Sequence, residues 1–61
     1  MTSEQWAQAE AQLPAGAKVT KVYTAFEKGE TRLAVMLPGA VYETRYVAHL
    51  EGGSVRLEHR P

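Results

Sequence analysis

The chain has 61 residues, with seven basic and seven acidic side chains, no cysteine and two histidines. A chain this short makes one small domain and buries only about 60% of the surface it exposes when unfolded, so its core is marginal. Zero net charge with histidine neutral removes the long-range attraction that draws basic proteins to nucleic acid or acidic membranes. The absence of cysteine excludes a disulfide framework and a Cys/His zinc site.

No apolar stretch approaches the ~20 residues of a membrane span, and Met1-Thr2-Ser3-Glu4-Gln5 lacks the basic start and apolar run of a signal peptide. A soluble cytoplasmic protein is expected. From Met1 to Pro61 it reads as a complete small gene product, one domain over 1–61.

Thr2-Ser3-Glu4-Gln5 has capping-box spacing and predicts a helix start. Trp6, Ala9 and Leu13 form a narrow apolar stripe, with Gln8, Glu10 and Gln12 mainly on the other side. Pro14 ends the helix, because proline disfavours helical geometry in the residue before it. Ala15-Gly16 is a connector.

From Ala17 the pattern turns to period two and to β-branched and aromatic residues. Strands are predicted over Val19–Glu27, Thr31–Leu37, Val41–Leu50 and Ser54–His59. Turns at Lys28-Gly29, Pro38-Gly39 and Gly52-Gly53 join them, and the connections are too short for parallel crossovers. The fold class is α+β: one N-terminal helix packed on a four-stranded antiparallel meander of order 1-2-3-4.

Two-residue loops pair Val22 with Val35, Thr24 with Leu33, Leu33 with Thr44, Val35 with Tyr42, Leu50 with Val55, Ala48 with Leu57 and Tyr46 with His59. One face then collects Val22, Phe26, Leu33, Val35, Leu37, Tyr42, Tyr46, Ala48, Leu50, Val55 and Leu57, covered by Trp6 and Leu13. A slip of one residue would bury Glu43 and Arg45. Pro-Gly prefers a type II turn, which suits a tight hairpin poorly, so that loop is open to widening at unchanged parity, whereas a three-residue bulged loop at Lys28-Gly29 would turn Tyr23 and Ala25 inward instead of Val22 and Phe26.

On the opposite face Ala34, Met36, Val41 and Val47 interrupt the polar alternation expected of a solvated sheet. With Tyr23 they make an apolar patch rimmed by charge, although a small sheet also exposes apolar atoms without any partner. Arg32 and Arg45 fall opposite each other in this register, a repulsion that Glu30 and Glu43 or a partner's acidic group can relieve.

The partner-binding set is thus Tyr23, Arg32, Ala34, Met36, Val41, Arg45 and Val47. The expected function is a small non-enzymatic protein-interaction module, a stand-alone adaptor or inhibitor that binds another protein through this sheet face and forms a homodimer. The alternative is a nucleic-acid-binding module using Tyr23, Lys21, Arg32, Arg45 and Arg56. Glu27, Glu43 and Glu58 on the same face weigh against phosphates.

Nothing in the sequence points to catalysis, a cofactor, a metal or a small-molecule substrate. His49 and His59 project to opposite faces, no Ser/His/Asp arrangement is set up, and the glycines sit at turns rather than in a phosphate-cradling loop.

Overall fold

A computed structural model describes residues 1–25 and 29–61. The elements are α1 (Ser3–Ala11), β1 (Lys18–Ala25), β2 (Glu30–Met36), β3 (Thr44–Glu51) and β4 (Ser54–Arg60). The strands form one antiparallel sheet of order β1-β2-β3-β4, the expected α+β meander. Among the described residues, no helix is long and apolar enough to cross a membrane.

Helix α1 starts where the capping box predicts. The Thr2 hydroxyl accepts the Gln5 amide at 3.1 Å, and the Gln5 side chain accepts the Thr2 amide at 2.8 Å, which satisfies two of the amides a helix start leaves without partners.

Its seat on the sheet differs from the expectation. The helix packs against β4, and fully buried Ala9 joins Ala48 and Val55 in a cluster that Met1 and Leu57 complete. Trp6 and Leu13 are only half-buried. The small Ala9 side chain lets the helix backbone approach the strand more closely than Trp6 or Leu13 would. At the centre of the sheet Leu33 and Val35 are fully buried.

The β3–β4 hairpin has the expected register, Leu50 opposite Val55, Ala48 opposite Leu57 and Tyr46 opposite His59. Gly52 and Gly53 both have positive φ, 56° and 89°, as the primed turn of a two-residue hairpin demands.

The other two hairpins keep their parity but shift by two residues. Val22 faces Leu33 rather than Val35, and Thr24 faces Thr31 rather than Leu33. The two-residue loop expected at Lys28-Gly29 would have set Glu27 against Glu30, like charges across a ladder. Instead the last pair is Ala25 with Glu30. Lys28 of that turn, and the core position expected for Phe26, lie outside the described residues, whereas Gly29 has a positive φ of 62° and its amide donates to the Ala25 carbonyl at 2.8 Å.

Between β2 and β3, Val35 faces Thr44 and Leu33 faces Tyr46. The Ala40 amide donates to the Leu37 carbonyl at 3.1 Å, so Pro38-Gly39 does turn the chain. Its twist does not suit a tight hairpin, however, and β3 resumes only at Thr44. Tyr42, expected in the core, is therefore 83% exposed in the loop, and Val41, expected in a strand, is 81% exposed beside it.

Candidate functional site

On the sheet face away from α1, side chains fall in rows that run across the strands. One row is Lys21, Ala34, Arg45 and Arg60, and the next is Tyr23, Arg32, Val47 and Glu58. Arg32 therefore lies opposite Val47, and the arginine that Arg45 faces is Arg60 rather than Arg32.

Charged side chains occupy the second row and cover its apolar centre. Arg32 Nη2 donates to Glu30 Oε1 at 3.0 Å, and Arg60 Nη2 lies 3.8 Å from Glu30 Oε2 and 3.2 Å from Glu58 Oε2. His49 Nε2 lies 2.9 Å from Glu58 Oε1. The hydrogen bond to Glu30 raises the Arg32 pKa, with a smaller contribution from the Tyr23 phenol. Hydrogen bonds from His49 and then Arg60 hold the Glu58 carboxyl below its ordinary range.

Val47 sits among these groups with only 2% of its surface exposed, and Ala34 is buried as well. The aliphatic stems of long charged side chains commonly cover apolar surface in this way. Part of the apolar patch expected from the sequence is thus already covered by the protein itself. Arg32 is committed to Glu30, Met36 is half-buried opposite Lys18, and Val41 has left the sheet for the loop.

The first row stays open. Lys21, Val22, Tyr23, Ala34, Glu43 and Arg45 line a groove of about 570 Å³. Ala34 lies between Lys21 and Arg45 in the ladder, so its single methyl leaves a depression with a cation on each side. Arg60 turns toward Glu58 and Glu30, which leaves the Arg45 guanidinium without a carboxylate partner among the described residues.

Glu43 closes one end of the groove. The Thr20 hydroxyl lies within hydrogen-bonding reach of both the Glu43 carboxylate and the Ala34 carbonyl, the latter at 3.1 Å, and its single proton serves these two acceptors. Thr20 occupies a β-bulge, where the pairing of β1 with β2 slips between Val19 and Lys21. The bulge sets the direction of both Thr20 and the adjacent Lys21.

Of the seven residues singled out from the sequence, Tyr23, Ala34 and Arg45 come together in the groove, along with Lys21. Sequence reasoning missed the role of Glu58 and Arg60 in the ion network. The spacing of Glu58 and Arg60, two apart on one strand and so on one face, was the signal available.

His59 lies on the helix side of the sheet, its ring centre 5.6 Å from that of Tyr46. It is thus on the opposite face from His49. Among the described residues no group of three or more His, Asp or Glu side chains is placed to hold a metal ion.

The fold and groove define a small open-sheet α+β domain whose polar site lies on a sheet face. No family model matches the chain, and no curated protein or solved structure matches it.

Proposed function

We propose that this protein is a non-enzymatic interaction module, a small adaptor or inhibitor that receives an acidic side chain of another protein in the groove over Ala34. The supporting observation is the placement of Lys21 and Arg45 on either side of that alanine, while Glu30 and Glu58 are engaged by Arg32, Arg60 and His49. Arginine's planar fork suits a carboxylate, and lysine adds a second positive charge. Exposed Tyr23 offers an amphipathic wall of the kind common at protein interfaces.

Glu43 at the end of the groove opposes a continuous run of phosphates, so a protein carboxylate fits better than the nucleic-acid strand of the alternative reading. The test is fluorescence anisotropy with a labelled peptide of alternating glutamate and valine, beside a labelled oligothymidine. Peptide binding that weakens roughly tenfold in both Lys21→Ala and Arg45→Ala supports the reading, each change removing a charge-assisted contact of about 1.5–3 kcal/mol. Oligothymidine binding with a steep salt dependence and no peptide binding would transfer the groove to the rival class.

A further inference from the structure

We propose that two copies of this chain pair through β1, antiparallel and about a two-fold axis perpendicular to the sheet, to form a continuous eight-stranded sheet. A four-stranded open sheet has β1 and β4 as its edge strands, and each edge presents backbone amides and carbonyls that a further strand can pair with.

At β4 that row is occupied by the helix. The Val55 amide donates to Gln8 Oε1 at 2.8 Å, the Leu57 amide donates to Gln12 Oε1 at 2.8 Å, and Gln12 Nε2 donates to the Val55 carbonyl at 2.6 Å. At β1 no side chain among the described residues bonds to the strand backbone. The two edges are therefore different, and pairing of β1 with β4, which would propagate into filaments, is blocked.

What stays open is β1 against β1, an isologous contact that closes at two chains. The second copy is the occupant that accounts for both edges, since the resulting dimer has its β1 edges paired and its β4 edges held by glutamines. Zero net charge leaves no overall repulsion between copies. Val22 and Tyr23, 48% and 39% exposed, project to opposite faces at this edge, so a neighbouring strand covers apolar surface on both sides.

The bulge at Thr20 disturbs the N-terminal half of β1, whereas Lys21 to Ala25 pairs regularly with β2. Antiparallel pairing about a two-fold sets one residue against its own copy. Lys21 in that position would oppose like charges. Centring on Val22 would run the ladder into the bulge. Tyr23 at the axis sets Val22 against Thr24 and Lys21 against Ala25, all within the regular stretch.

The perpendicular axis also places both grooves on the same side of the sheet. Groove binding is nonetheless separable from pairing, because Arg45 stands on β3, away from the β1 seam, and Arg45→Ala changes peptide binding without touching a seam residue.

The chain has no cysteine, so single-cysteine variants at positions 21 to 25 each carry one thiol. Under mild oxidation, crosslinking is expected to be highest for Tyr23→Cys and to fall toward Lys21→Cys and Ala25→Cys, because only residues directly across a ladder approach disulfide distance. Val41→Cys, in the exposed loop, sets the collisional background. Tyr23→Lys, which places two lysines at the axis, should weaken the dimer at least roughly tenfold, or ~1.4 kcal/mol, in sedimentation while keeping its far-UV circular dichroism. Crosslinking at the Val41→Cys level along all of β1, or a wild type that sediments as a single chain at millimolar concentration, overturns the proposal.

Discussion

Gln12 holds Val55 from the side a fifth strand would occupy. Its Nε2 donates to the Val55 carbonyl at 2.6 Å while its Oε1 accepts the Leu57 amide at 2.8 Å. Gln8, one helical turn earlier, accepts the Val55 amide. Spacing of four puts the two amides above one another on the helix, and Ala9 between them lets the helix come close.

Replacing Gln12 by leucine removes its two hydrogen bonds to β4 and a third, at 3.2 Å, to the Gln8 carbonyl; at a net worth of about 0.5–1.5 kcal/mol each, a loss of roughly 1.5–4.5 kcal/mol is expected in urea unfolding. Gln8→Ala should cost about a third as much, since the Gln8 side chain holds one bond. Hydrogen exchange is the sharper readout. The Leu57 amide should exchange much faster in Gln12→Leu, and an unchanged rate would mean that the glutamine contributes nothing to this edge.

Val47 lies under the ion network rather than on an open patch, so substitutions there should act on folding. Val47→Ala deletes two buried carbon groups and is expected to destabilise by about 1.5–2.5 kcal/mol, at ~0.8 kcal/mol per buried methylene plus the cavity left behind. Val47→Glu should unfold the domain at room temperature instead of yielding a soluble monomer. Thermal melts of the two variants test this, and a Val47→Glu protein with wild-type melting would show that the site is solvent-accessible after all.

Glu58 gives the fold an acid dependence. Hydrogen bonds from His49 and Arg60 depress its folded pKa, so its contribution is present above the ordinary glutamate value of about 4.3 and is lost as pH falls through the lower folded value. The expected signature is a urea midpoint that drops on acidification from pH 5 toward pH 3, by less in Glu58→Gln than in wild type. Because the carboxylate is exposed to solvent, added salt should shrink the difference. Equal slopes for both proteins would remove Glu58 from the acid response.

The element order was legible because local chemistry and long-range pattern agree there. Thr2 and Gln5 mark the helix start, Gly52-Gly53 fixes a hairpin, and β-branched alternation marks the strands. Facing was legible too, since parity survives a shift of two: Leu33 and Val35 are in the core, and Tyr23 and Arg45 stand on the other side.

Register was not legible where a loop could lengthen without changing parity. The chain from Leu37 to Glu43 adopts such a wider connection, which expels Val41 and Tyr42 from the sheet. The function of Gln8 and Gln12 was hidden for a different reason. Amphipathic periodicity treats glutamine as solvent-facing, whereas a strand edge is a row of polar groups that glutamine satisfies better than leucine does. The burial of Val47 likewise depends on charges drawn from three strands, a relationship that appears only once register is known.

Gly16 joins the helical layer to the far end of the sheet, and its substitution should be costly for two separate reasons. Its φ of +81° is a conformation that side chains with a Cβ disfavour by about 1 kcal/mol or more. A Cβ there would also stand 2.8 Å from Pro38 Cγ, in the turn between β2 and β3, and the proline ring has little freedom to give way. Gly16→Ala should therefore lower stability by roughly 2–3 kcal/mol, the sum of strain and displaced packing. Gly39→Ala is the natural comparison, because φ there is +76° but nothing lies within 4 Å of the added carbon. If Gly16→Ala and Gly39→Ala unfold at the same urea concentration, the backbone conformation alone accounts for the cost and the contact with Pro38 contributes nothing. A gap of about 1 kcal/mol or more between them assigns the remainder to the packing of the connector on the β2–β3 turn.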